Sequence, residues 1–152
     1  MTETVTLAFL HHAAAFVIVG VLTAELVVLR GELTLESARS VLRIDAAYGI
    51  AAAVLLVVGL MRVLYTEKGA AYYFHSAPFL VKLTLFLVVG LLSIYPTLQF
   101  LRWRGALRAG RVPAFDGAVR RRVRIIVHAE LTLLFVVMLC AAMMARGIGF
   151  LG

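Results

Sequence analysis

Four runs of mainly apolar residues, each long enough to cross a bilayer, dominate this 152-residue chain. They extend roughly over Val5 to Leu29, Ile44 to Tyr65, Phe79 to Leu101 and Ile125 to Ala145. A hydrocarbon core about 30 Å thick takes about 20 such residues at a helical rise of 1.5 Å. Alternation at period two is absent, so the runs are expected to be helices, not strands. The remaining composition leaves little choice. With 63% hydrophobic and only 15% charged residues, and a mean hydropathy of +1.01, a water-soluble globule would lack the polar residues to cover itself. The expected fold is all-α: an integral membrane four-helix bundle, up-down-up-down, forming a single transmembrane domain over residues 1–152 with both termini on the outer, periplasmic side.

Charge sets that orientation. The segment after the third run holds Arg102, Arg104, Arg108, Arg111, Arg120, Arg121, Arg122 and Arg124 against one acid, Asp116, and the segment after the first adds Arg30, Arg39 and Arg43. The connection after the second run carries only Glu67 and Lys68. By the positive-inside rule the arginine-rich segments are cytoplasmic. The net charge of +7 is thus read as topology and as contact with anionic lipid at the arginine-rich loop, not as a nucleic-acid surface. Gly110 and Pro113 suggest two basic helix ends joined by a turn. The N-terminus has no positive n-region and is read as a retained helix. The lone Cys140 is read as a packing residue. Tyr95-Pro96 should kink the third helix or end it early.

Ionisable groups inside a bilayer are costly and mark functional positions by default. Alternating helix direction sorts them by depth. The outer set is His11, His12, Arg62, Tyr65, His75 and Lys82; the inner set is Glu25, Asp45, Tyr95, Gln99, His128 and Glu130. Helical rise separates His12 from His128 by about 18 Å along the membrane normal, too far to share one metal-centred cofactor. His11 and His12 point 100° apart. The His12 face, with Ala15, Phe16, Val19, Gly20 and Thr23, is preferred. The His11 face, with Ala14, Ala15, Ile18, Leu22 and Glu25, is the alternative. Lys82 is either a snorkelling interface residue or a counter-charge for an anionic ligand. His75 follows the aromatic cluster Tyr72-Tyr73-Phe74, of the kind found at headgroup level. Asp45 should look into the bundle beside Tyr48, Ala52 and Gly59, paired with His128 or an arginine, or else serve a proton relay. His128 and Glu130 lie 200° apart and cannot both face inward. Zinc-type spacings, phosphate-binding glycine loops and nucleophile elbows are absent.

Several segments resemble a bacterial family described only as predicted membrane proteins of unknown function. They are Leu10-His11-His12-Ala13-Ala14-Ala15-Phe16, Asp45-Ala46-Ala47-Tyr48-Gly49, Arg62-Val63, Glu67-Lys68-Gly69-Ala70-Ala71, Lys82-Leu83, Gly90-Leu91-Leu92-Ser93-Ile94 and Phe100-Leu101-Arg102-Trp103. More distantly, Val81-Lys82-Leu83 and Arg102-Trp103-Arg104 are similar to segments of the HemJ-type protoporphyrinogen oxidases. Those are four-helix membrane proteins with a haem-liganding histidine early in one helix and a lysine opening a later one. The chain departs from that pattern: the tryptophan after the ligand histidine is missing, and Val28-Leu29-Arg30 stands where that family has Leu-Pro-Arg.

The resemblance implies haem b, with His11 or His12 as metal ligand and Lys82, Arg62 and His75 around the cofactor. The expected function is then a membrane b-type haem redox protein of the bacterial inner membrane, passing electrons to quinone or oxidising a lipophilic substrate. The alternative is a non-enzymatic module without cofactor, such as a partner-binding subunit, a homo-oligomer, or a small channel or carrier.

Overall fold

The computed structural model describes residues 2–65 and 75–149, with the side chains of residues 2 and 3 left aside. Its helices are α1 (Thr2–Arg30), α2 (Leu35–Tyr65), α3 (Ala77–Arg102), the short α4 (Arg104–Arg108) and α5 (Gly117–Ala145). Four of them, α1, α2, α3 with its α4 continuation, and α5, are long and apolar enough to cross a membrane. The expected Glu67, Lys68 and Tyr72-Tyr73-Phe74 features lie outside the described residues.

The long helices pack side by side: α1 lies along α2, α3 along α5, and the α1–α5 and α2–α3 contacts close the ring. α1 therefore faces α3 across a diagonal. Each helix buries one stripe. On α1 it runs Ala14, Ile18, Leu22, Glu25, Leu29, and on α2 Val41, Asp45, Tyr48, Ala51, Leu55, Val58, the spacing of a helical face. The outward side is apolar as well, with Phe16, Leu91 and Phe135 largely exposed. Large side chains turned out in such numbers suit lipid, not water.

Two helices begin well before the apolar runs do. α2 starts at Leu35 and α5 at Gly117, where hydropathy gives Ile44 and Ile125. Capping, not hydrophobicity, fixes these ends. The Thr34 hydroxyl accepts from the Ser37 N–H at 3.1 Å while the Ser37 hydroxyl accepts from the Thr34 N–H at 2.8 Å. This reciprocal capping box satisfies two donors the helix cannot. Asp116 caps α5 by accepting from the Ala118 N–H at 3.1 Å. Pro96, expected to kink the third helix or end it early, sits buried inside it, and α3 does not end there but runs on to Arg102. Proline removes one backbone bond there, which neighbouring helices allow a spanning helix to tolerate.

The arginine-rich segment is built, not merely charged. Trp103 is buried between Phe100, at 5.0 Å between ring centroids, and Phe115, at 4.9 Å. After α4 the chain turns at Gly110, with φ 67°, where Arg111 N–H bonds the Ala106 carbonyl and Gly110 N–H that of Leu107. That is a Schellman closure, whose left-handed residue favours glycine. At the opposite end Gly149 accepts from the Ala77 N–H at 3.1 Å. A Cβ on Gly149 would come within 2.8 Å of Pro78, so only glycine lets the tail close on the start of α3.

Arg120 joins two of the helices. Its Nε donates to the Leu29 carbonyl at 3.0 Å, and its guanidinium also reaches the Gly31 carbonyl. Carbonyls in the last turn of a helix have no partner of their own, and a cation there also meets the negative end of the helix dipole. Replacing Arg120 by Gln should lower unfolding stability in detergent by about 1–3 kcal/mol. Arg120→Lys should recover only part, and the adjacent, exposed Arg121→Gln should change it little.

Candidate functional site

A cavity of about 480 Å³ opens between all four long helices at the end where α1 begins and α2 finishes. Its polar lining comes from His11 and His12 of α1, Arg62 of α2 and Lys82 of α3; Leu55, Phe79, Phe86 and Val137 are among its apolar walls. Four of the six residues grouped by depth as the outer set thus meet at one place. The early turns of α1 and α3 and the last turns of α2 and α5 converge there. Tyr65 and His75 are both exposed and are not among the residues that line the cavity. His75 stands two residues before the start of α3.

The two histidines part company. His11 lies on the inward stripe of α1, half-buried, with its Nδ1 enclosed and its ring beside the Leu55 backbone. His12 is exposed, and its Nδ1 lies 2.6 Å from the Ala8 carbonyl of its own helix. The preferred orientation is therefore reversed: His11 is the inward ring. The reason lies two turns further on the same stripe and beyond, where Ile18, Leu22 and Glu25 are also buried. Phe16 and Thr23, on the His12 face, are exposed.

Room for the His11 ring comes from Gly59 on α2. A Cβ there would lie 3.3 Å from His11 Cε1, so the glycine lets α1 and α2 approach with an imidazole between them. Arg62, one turn later, has a buried Nε without a partner. The Lys82 Nζ lies over the Phe79 ring at 5.4 Å, a cation–π contact. Both cations act electrostatically on His11 and on each other. The arrangement is a positively charged pocket with apolar walls, suited to a ligand with an anionic end and a lipophilic body.

The inner set is distributed differently. Asp45 is buried, but its Oδ1 accepts from the Thr97 hydroxyl at 2.7 Å, not from His128 or an arginine as expected. Glu130 takes the inward position on α5, and His128 is exposed with Nδ1 2.6 Å from the Arg124 carbonyl. Gln99 lines a second pocket beside Trp103, Pro113 and Phe115. The Tyr95 ring faces Arg122 at 5.8 Å. Among the described residues no group of three His, Cys, Asp or Glu side chains is arranged to hold a metal ion.

Fold and site together define a multi-helix membrane protein with a polar cavity let into an otherwise apolar body. The family described as "Predicted membrane protein (DUF2214)" matches residues 3–149, and the chain belongs to it. No curated protein and no solved structure matches the chain.

The Gly59 contact gives a direct test of the site's construction. Gly59→Val overpacks against His11 and should lower unfolding stability by about 1–3 kcal/mol. Gly20→Val, where an added Cβ meets nothing within 4 Å, should stay within about 0.5 kcal/mol of the wild type. Detergent unfolding of the two variants beside the wild type measures the difference.

Proposed function

We propose that this protein is a membrane b-type haem protein that carries its cofactor at the His11 cavity and works in electron transfer. One observation carries the reading: a half-buried imidazole shares an apolar-walled cavity with two cationic side chains. The residues fit the group. His11 would serve as axial ligand, with Gly59 leaving space for its ring, while Arg62 and Lys82 would neutralise the two propionates. An unpaired carboxylate would otherwise be costly among apolar walls. Phe79, Phe86 and Leu55 would keep water from the macrocycle. Bound there, haem supplies one-electron redox chemistry tuned by its ligand and by burial. The distant similarity to HemJ-type oxidases agrees with this assignment, and quinone is the natural electron partner for a site within the membrane.

The same reading takes the whole chain as one up-down-up-down transmembrane bundle of the bacterial inner membrane. Its arginine-rich ends lie in the cytoplasm against anionic lipid, and its termini and cavity lie on the outer side. The arginine bias supports that sidedness. Reporter fusions at the two ends of the chain test it: both should report the outer compartment.

For the cofactor, the protein purified from haem-replete cells should show a Soret band. His11→Ala should abolish it, whereas His12→Ala and His128→Ala should leave it in place. Lys82→Met, which keeps length and removes charge, should weaken haem retention without unfolding the helices. A wild-type protein with no Soret band would instead leave a non-enzymatic module without cofactor. Loss of the band on His128→Ala alone would move the site to the other end of the helices.

A further inference from the structure

Three buried acids lie away from the cavity. Glu25 of α1 is 2% exposed, Glu130 of α5 is 1% and Asp45 of α2 is 8%. The three act electrostatically on one another. Buried Tyr48 of α2 is coupled to all three, and its hydroxyl is within reach of Ser93 on α3. α3 also supplies Thr97, bonded to Asp45 at 2.7 Å. Every long helix therefore contributes a polar group to one centre. Glu25 lies 14 residues beyond His11, about 21 Å along α1, so the centre is separate from the cavity.

Two features show that this cluster lacks a partner. The Oε1 atoms of Glu25 and Glu130 are fully enclosed and accept no hydrogen bond. Among the described residues no lysine or arginine bonds any of the three acids. Arg120 bonds the Leu29 and Gly31 carbonyls, Arg122 lies over Tyr95, and Arg30, Arg39 and Arg43 are exposed. Arg124, half-buried and with an enclosed, unpartnered Nε, stands six residues before Glu130, about 9 Å back along α5, and bonds none of the acids. Three mutually repelling carboxylates without a counter-ion do not persist in an apolar interior. A protonated carboxyl, by contrast, is both donor and acceptor.

We propose that Glu25, Asp45 and Glu130 form a proton-binding site inside the membrane, completed by Tyr48 and Thr97. Bound protons neutralise the acids and supply the O–H donors that the enclosed oxygens lack. The site exchanges protons with the arginine-rich end, since Glu25 is five residues from the close of α1 and Asp45 lies in the first half of α2. The ligand is the proton itself, so the site stands whether or not the cavity holds haem.

Infrared spectroscopy of the full chain in lipid nanodiscs, recorded across a pH series, tests this. At neutral pH the wild type should show the carbonyl stretch of protonated carboxylic acids, giving way to the carboxylate bands as pH is raised. Glu25→Gln, Asp45→Asn and Glu130→Gln should each remove part of that band. Glu36→Gln, at an exposed position, and His11→Ala should remove none. A wild type without the band at neutral pH overturns the proposal. So does a band that none of the three substitutions diminishes, or one that sodium or potassium converts to carboxylate at constant pH, which would make the ligand a metal cation.

Discussion

Everything polar in this protein is arranged by the absence of water around its spans. A hydrocarbon surround offers no hydrogen-bond partner, so the backbone closes on itself as helices and ionisable side chains turn toward one another. The α1 stripe shows the consequence in a single helix. His11, Ala14, Ile18, Leu22, Glu25 and Leu29 share the inward side, while Phe9, Phe16 and Val27 face out. A polar group stands near either end of that stripe and small or branched apolar residues fill the space between. The other helices follow suit, and two polar centres result, one cationic around His11 and one acidic around Glu25.

The two centres have different physical characters. Around His11 the helices stand apart enough to leave a cavity, its polar groups come from α1, α2 and α3, and α5 adds only apolar wall. Around Glu25 the side chains are buried, and the Oε1 atoms of Glu25 and Glu130 are enclosed. An open, cationic, apolar-walled space suits a bulky ligand with an acidic end. An enclosed acidic cluster suits the smallest of ligands, the proton. Separation by about 21 Å along α1 lets each centre act on its own.

The arginine-rich end holds the helices in register. Arg120 ties the start of α5 to the last carbonyls of α1, and Trp103 with Phe100 and Phe115 folds the segment after α3 back onto the body. Charge bias across a membrane and specific capping are separate functions, and here one arginine of the cluster serves the second. At the far end the Gly149 carbonyl on Ala77 closes the tail over the first turn of α3.

Much of this could be read from the sequence alone. Four apolar runs determined the number and kind of spans, because helix length and bilayer thickness leave no alternative. Alternating direction was enough to gather His11, His12, Arg62 and Lys82 at one end. The starts of α2 and α5 were legible too, in Thr34–Ser37 and Asp116, but in capping chemistry, not in hydropathy. Glu25, on the His11 face, was the signal for the inward histidine that the preference for His12 passed over, since lipid tolerates a carboxylate poorly.

Tertiary structure alone decided the rest. Which partner Asp45 takes, which oxygens of Glu25 and Glu130 stay unpaired, and that His75 falls outside the cavity all depend on how the helices rotate and lean against one another. Periodicity assigns a residue to a face of its own helix. Only packing determines which face of a neighbour it meets, because that contact sums many small, non-local interactions that no single segment encodes.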